Sequence, residues 1–270
     1  MKDYEIYSTM KVPKNSNIII RLDGRKFHSL AKGLNLVKPY DDNFYKIISN
    51  VCLDIFNQFA PKFIYTFSDE ISILLDEVPF SRRVEKINSV FASLASSSFT
   101  YYLLNDYSNE FDLDNLSDNE RNNVFPLSFD SRIIPIDAQH ICDYFKWRQD
   151  ECWRNCINGY GIWALKKEYD NKEANEKIKG LKSNEIHDLL FERGINLNDV
   201  DTWKKRGIGV YKKSWEIEGF NPKKQEKTIS TRSEVYVDYE LDIFSQEFFD
   251  NLGKNHFYGI FGSYGISGIF

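Results

Sequence analysis

Cysteine is scarce in this chain: Cys52, Cys142, Cys152 and Cys156 are the only four among 270 residues. That density does not build a disulfide framework. Zinc is not expected either. His140, Cys142, Cys152 and Cys156 follow no common zinc-ligand spacing, and Cys152 and Cys156 sit one helical turn apart, as core residues do. A basic excess is also missing. The net charge is −5 and the sequence pI about 5.5. Any nucleic acid must therefore be held by local patches and not by a global field. No run of about 18 apolar residues occurs, so no membrane span is expected. The N-terminal MKDYEIYSTMKVPKN has no apolar core of a signal peptide. A soluble, cytoplasmic protein with no membrane partner is expected.

What is plentiful is core material. Hydrophobic residues make up 42% and aromatics 16% of the sequence, enough for one large domain or two small ones. Ile18–Leu22 is a β-branched apolar run and reads as a buried strand, stopped by Asp23-Gly24. A loop containing Gly33 and Pro39 follows. A helix then begins near Asp41, with Phe44, Ile47, Ile48, Val51, Cys52, Ile55, Phe56 and Phe59 at helical spacing, and Pro61 ends it. Phe63–Phe67 and Ile71–Leu75 read as strands, and Ser68-Asp69-Glu70 between them is short enough only for a tight hairpin. Ser81 is placed as the N-cap of a second helix that runs to about Leu104. The stretch 106–120 holds six acids and no base and reads as an exposed loop. Leu127–Ile134 is the next strand.

The order strand, helix, strand, strand, helix, strand is that of an α+β, ferredoxin-like palm, βαββαβ. In that topology the first and third strands are antiparallel neighbours. Asp23, at the end of the first, and Asp69-Glu70, in the hairpin before the third, then lie side by side although 46 residues apart. Beyond residue 138 the character changes. A helix is expected from Ile141 to about Lys167, with a bend at Gly159 or Gly161. Another runs from Ser183 to about Phe191. Gly207–Ile217 and Ser233–Leu241 read as a long hairpin. The chain thus divides into a palm, 1–138, and a helical and β-hairpin extension, 139–270. The Gly-rich tail Phe257–Phe270 has no clear period.

Two carboxylates at one strand end suit Mg²⁺, which takes oxygen ligands and keeps open positions for substrate phosphates. A pair of such ions can clamp both oxygens of an in-line phosphoryl displacement. Asp and Gly are also ordinary turn residues, and on composition both readings stand.

Six motifs favour the first reading. Arg21-Leu22-Asp23-Gly24-Arg25-Lys26-Phe27-His28 resembles the R-x-D-G-R-x-F-H signature of the tRNA-histidine guanylyltransferase family. Lys38-Pro39 with Asp41 resembles its K-P-x-D, and Ser68-Asp69-Glu70 its S-D-E. Phe129-Asp130-Ser131-Arg132, Trp147-Arg148-Gln149 and Ser183-Asn184-Glu185-Ile186 resemble F-D-[GS]-R, W-R-Q and [KS]-N-E-I. They come in family order across residues 18–190. The resemblance implies a nucleotidyltransferase that extends the tRNA 5′ end in the 3′–5′ direction. ATP activates a 5′-monophosphate as an adenylate, the 3′-hydroxyl of an incoming nucleotide, typically GTP, attacks it, and pyrophosphate is removed later. It implies two Mg²⁺ ions and a homotetramer.

Carried over by position, Asp23, Asp69 and Glu70 would be catalytic, with Asp23, the Gly24 carbonyl and Asp69 on the metals. Asp23 to His28 (with Gly24, Arg25, Lys26 and Phe27), Lys38, Asp41, Ser68 and Asp69 would hold the nucleotide. Phe27 also has a core reading and His28 a structural one. Arg148 and Asn155 would meet tRNA. One departure stands out. Where many eukaryotic members carry H-I-N-N-x-Y, this chain has Trp153-Arg154-Asn155-Cys156-Ile157-Asn158-Gly159-Tyr160, without the histidine. That resembles the archaeal and bacterial-type branch, in which repair of 5′-truncated tRNAs is typical.

Two basic groups complete the expectations. Arg82, Arg83 and Lys86, placed on the first turns of the second helix, suit a second triphosphate or the tRNA 5′ end. Trp203–Arg232 holds nine Lys and Arg against three acids. Within it Lys204, Lys205, Arg206, Lys212 and Lys213, near Trp203, Tyr211 and Trp215, offer RNA both charge and stacking surface. A nucleotidyl cyclase shares the palm and its acids, and an inactive RNA-binding module would share the rest; both remain as alternatives.

Overall fold

A computed structural model describes residues 1–221 and 225–252. The Phe257–Phe270 tail lies outside them. The elements are β1 (Asn17–Gly24), α1 (Phe27–Gly33), α2 (Asp42–Phe59), β2 (Phe63–Phe67), β3 (Glu70–Leu74), α3 (Val84–Asn105), α4 (Asp118–Val124), β4 (Phe129–Ile136), α5 (Ile141–Leu165), α6 (Asn171–Ile178), α7 (Ser183–Phe191), α8 (Thr202–Arg206), β5 (Ile208–Asn221), β6 (Glu226–Asp238) and α9 (Gln246–Asn251).

The sheet order is β4-β1-β3-β2-β5-β6. Its first four strands are the expected ferredoxin-like palm, with β1 antiparallel to β3. The C-terminal hairpin then joins the same sheet, β5 pairing with β2 through Ile64–Val210, Tyr65–Gly209 and Thr66–Ile208. The two parts of the chain therefore share one sheet.

Strand parity divides the core. Ile18, Ile20 and Leu22 of β1, with Ile71 and Ile73 of β3, pack under α2 and α3. Ile19, Phe63, Tyr65, Phe67 and Leu74 face the other way and pack with Tyr144 and Phe145 of α5. Helix α2 begins as the sequence indicates. The Asp41 carboxylate accepts from the amides of Asn43 and Phe44, which satisfies two first-turn donors.

Several expectations shift. Ser81 does not cap α3. It sits in a left-handed turn, φ 52°, and the helix starts three residues later with Arg83 at its N-cap. The acidic stretch is not all loop: Ser117 and Glu120 form a capping box that opens α4. Residues 27–33 form the short helix α1, with no side-chain cap to announce it. Helix α5 runs without interruption through Gly159 and Gly161. Gly161 lies where α6 and α7 approach most closely, and a Cβ there would be 2.7 Å from Ile178 and Ile186. No described helix is long and apolar enough to cross a membrane.

Candidate active site

The hairpin between β2 and β3 has two turn residues, Ser68 and Asp69, because Phe67 pairs directly with Glu70. So tight a turn needs a positive φ, and Ser68 adopts 52°. Two contacts hold it there. The Ser68 amide donates to the Tyr45 hydroxyl at 3.2 Å, and the Ser68 hydroxyl donates to the Asp69 carboxylate at 3.0 Å. The turn is tied to β1 as well, through Gly24 N–H to the Asp69 carbonyl at 3.1 Å. Asp23 lies opposite Glu70 in the ladder. The fold thus brings Asp23, Asp69 and Glu70 together.

The three acids differ in what they face. Asp69 and Ser68 line a cleft of about 320 Å³ together with Phe27, His28, Lys38, Tyr40, Asp41 and Phe44. Burial pushes the Asp69 carboxyl above its ordinary range; Ser68 opposes the shift and the neighbouring Asp23 adds to it. Burial lowers the pKa of Lys38, with Asp41 opposing, so its ammonium is a partly desolvated cation at the cleft rim. Glu70 points to the other side of the sheet. Its Oε1 lies 2.9 Å from Nε of Arg148 on α5, and both side chains are nearly buried. Burial raises the Glu70 pKa, with Arg148 and Arg21 acting against it. This carboxylate pairs with an internal cation and ties β3 to α5.

The remaining nucleotide-site expectations separate in the same way. His28 and Lys38 are exposed at the cleft, and Arg25 and Lys26 are exposed just before it. Phe27 is buried in an aromatic cluster with Phe44, Phe99 and Phe129. It forms the cleft floor. Gly24 is required by that ring, since a Cβ at this position would meet it at 2.4 Å. Asp41 spends its carboxylate on the amides of Val37, Asn43 and Phe44 and shapes the loop ahead of α2.

The basic groups each meet partners within the chain. Arg82 donates to the carbonyls of Val12, Pro13 and Ser16. Ser16 precedes β1, so this guanidinium lies at the far end of the strand, about 20 Å from Asp23. Arg83 pairs loosely with Glu85 at 3.9 Å, and Lys86 is exposed in that same region. This trio does not converge on the acids. Arg148 is buried against Glu70. Lys204 sits between Asp201 at 2.8 Å and Asp42 at 3.7 Å. Lys205 donates to the Asn198 carbonyl and Arg206 to that of Leu241. Lys213 lies over the Tyr236 ring at 3.2 Å. Lys212 and Asn155 are exposed. Asn155 lines a second cleft beside Ser68 with Tyr40, Tyr45, Phe67, Asn158 and Trp203.

Sequence reasoning missed Tyr45, which anchors the turn, and Gln149, which ties α5 to the chain after β6. Gln149 donates to the carbonyls of Arg206 and Asp242 and accepts from the amide of Phe244. A polar residue at an inward helical position next to Arg148 was the available signal for Gln149. Tyr45 carried none, because its partner is 23 residues away.

A palm sheet with Asp23 and Asp69 near the β1 end, beside a cleft rimmed by a lysine and a histidine, suits a nucleotidyltransferase. The tRNAHis guanylyltransferase family model matches residues 1–137, and the model described as Thg1 C terminal domain matches 139–244. The tRNA(His) guanylyltransferase of Debaryomyces hansenii is 30% identical over 244 residues, covering 86% of this chain and 89% of that protein. A solved bacterial tRNA(His) guanylyltransferase (Thg1)-like protein in complex with ATP superposes with a TM-score of 0.66 at 28% identity, covering 90% of this chain and 91% of that one. A bacterial Thg1-like protein in complex with GTP gives 0.59 at 27%, with 90% of each chain covered. The chain belongs to the tRNA(His) guanylyltransferase family.

Proposed function

We propose that this protein adds a nucleotide, typically GTP, to the 5′ end of tRNA in the 3′–5′ direction, with ATP activating 5′-monophosphate ends. The observation that carries the reading is the tie between the end of β1 and the turn, Gly24 N–H to the Asp69 carbonyl, which sets Asp23 next to Asp69, a lining residue of the cleft, in a chain of this family.

The donor set fits magnesium. Among the described residues no cluster of three or more His, Cys, Asp or Glu side chains could hold a metal alone. Mg²⁺ commonly takes one or two carboxylates and completes its shell with water and substrate phosphates. Asp23 and Asp69, with the Gly24 carbonyl, supply that partial shell. When bound, two such ions would neutralise the phosphates and the attacking and leaving oxygens. Lys38 supplies positive charge for a phosphate at the cleft rim, His28 borders it, and the Phe27 wall excludes water from one side. The fixed Ser68 turn holds Asp69 toward the cleft without reorganisation. Cytoplasmic residence and a homotetramer belong to the same reading, the second by family resemblance; sedimentation of the purified protein tests the latter.

The absence of the motif histidine from the Trp153–Tyr160 stretch favours 5′-truncated tRNAs as substrates alongside, or in place of, histidine tRNA. The test is one assay with Mg²⁺, ATP, labelled GTP and two tRNA sets, histidine tRNA lacking its added guanosine and other tRNAs lacking their first nucleotide. Label at the 5′ end is expected, and Asp23→Ala or Asp69→Ala should abolish it with the circular dichroism spectrum unchanged. Cyclic nucleotide formed without RNA would point to a cyclase instead. Tight tRNA binding without incorporation would point to an inactive binding module.

A further inference from the structure

The cleft occupies one side of the acid pair. On β1, Arg21 and Asp23 point to the opposite side, the face that α5 covers over β2 and β3. There Tyr144 reaches Ser72 at 3.0 Å and Arg148 reaches Glu70. Over β1 and β4 the cover ends. Arg132 and Asp130, in register with Arg21 and Asp23, are exposed. β4 is an edge of the sheet, so this face opens to solvent beside Asp23.

At the border of the open face stands Trp147, 51% exposed. Its ring is not free to wander. The Arg148 guanidinium lies 4.1 Å from its centroid, that of Arg21 5.8 Å, and the Tyr144 ring 5.9 Å. An indole braced this way has already lost its rotamer freedom, so stacking on it carries little further entropic cost. Beside it is the guanidinium of Arg21, which has no direct ion pair among the described residues. Arg132 is paired with Asp130 at 3.4 Å and Arg148 with Glu70. Among the described residues no carboxylate lies within ion-pair distance of Arg21, and its buried Nε has no hydrogen-bond partner.

A braced aromatic face, a guanidinium outside any direct ion pair and an aspartate two residues further along the strand ask for a ligand with a planar ring and an anionic group. We propose that Trp147 and Arg21 form a platform for the first nucleotide of the RNA stem, Trp147 stacking on its base and Arg21 holding its 5′ phosphate toward Asp23. This rests on the guanylyltransferase reading above and adds where the RNA end lies. A free nucleoside triphosphate is the weaker candidate, because the enclosed cleft on the other side already offers it walls on several sides. A duplex end needs open space, and the β1–β4 face supplies it.

The test uses an acceptor-stem RNA hairpin whose 5′-terminal base is a fluorescent purine analogue, made with and without a 5′ phosphate. With the wild-type protein, stacking should quench the analogue. Trp147→Ala should remove most of the quench and raise the KM for tRNA about tenfold, and Trp147→Phe should restore both. Arg21→Gln should erase the preference for the phosphorylated hairpin. GTP affinity measured without RNA serves as the control that each variant is folded. An unchanged quench in Trp147→Ala, while the wild type still incorporates GTP, overturns the platform and leaves the enzymatic reading standing. A wild type that incorporates no GTP removes both.

Discussion

Arg148 and Glu70 form a nearly buried ion pair, Nε to Oε1 2.9 Å, that joins the long helix α5 to the strand that follows the Ser68-Asp69 turn. The pair is structural in origin. Tyr144, one helical turn before Arg148, binds Ser72 two residues beyond Glu70, so α5 grips β3 at two successive positions on one face.

Removing one half of this pair should be costly. Arg148→Met leaves the Glu70 carboxylate buried without its partner, a loss of about 3–5 kcal/mol for pairs of this kind. Adding Glu70→Gln removes the stranded charge and should recover much of that loss. Urea midpoints of the two single variants and the double variant measure the coupling. Glu70→Gln alone should retain measurable GTP incorporation. Complete loss, matching that of Asp69→Ala, would return Glu70 to the catalytic set.

Asp69 should show the opposite sign of a surface aspartate. Its folded pKa is raised, by burial first, so the folded state binds this proton more tightly than the unfolded chain does. No penalty exists below the ordinary value of 3.8. It develops as pH rises from there through the raised folded pKa and is complete at neutrality. Asp69→Asn should therefore raise the melting temperature at pH 7, and raise it less at pH 4, while incorporation is lost. Melting scans at the two pH values check this. A variant less stable than the wild type at pH 7 would contradict it.

Gly24→Ala should fail by collision. Its Cβ would sit 2.4 Å from the Phe27 ring, which is packed by Phe99 at 5.3 Å and Phe129 at 5.0 Å and has nowhere to retreat. Overpacking of this kind costs about 1–3 kcal/mol. Gly24→Ala with Phe27→Leu should be less destabilised than the two single changes summed. Denaturation midpoints for the three variants decide the point.

The palm was legible because its signals are local. The β-branched run before Asp23, the unbroken apolar spacing from Phe44 to Phe59 and the short link between Phe67 and Ile71 each name an element. The order of elements then brings Asp23 to Asp69. What was illegible depends on partners remote in sequence. Lys204, Lys205 and Arg206 read as a basic patch until Asp42, the Asn198 carbonyl and the Leu241 carbonyl come to meet them. Arg148 reads as a free cation until α5 lies on β3. Ser81 looks like a cap, but three successive left-handed residues, Phe80 to Arg82, postpone the helix. Helix α1 escaped because Lys26, itself left-handed, starts it with no capping side chain.

The two-residue turn has a consequence for how this sequence can change. Successive residues leaving a tight hairpin fall on opposite faces, so Asp69 looks into the cleft and Glu70 toward Arg148. The two acids carry equal charge but are not interchangeable. Exchanging them would put the longer side chain into the cleft and leave Arg148 reaching for a carboxylate one methylene too short. Inserting a single residue would shift every side chain of one strand to the wrong face relative to the other. Ser68-Asp69-Glu70 therefore behaves as a word whose spelling, length and letter order are all constrained, each by a different neighbour: Tyr45, the cleft and Arg148.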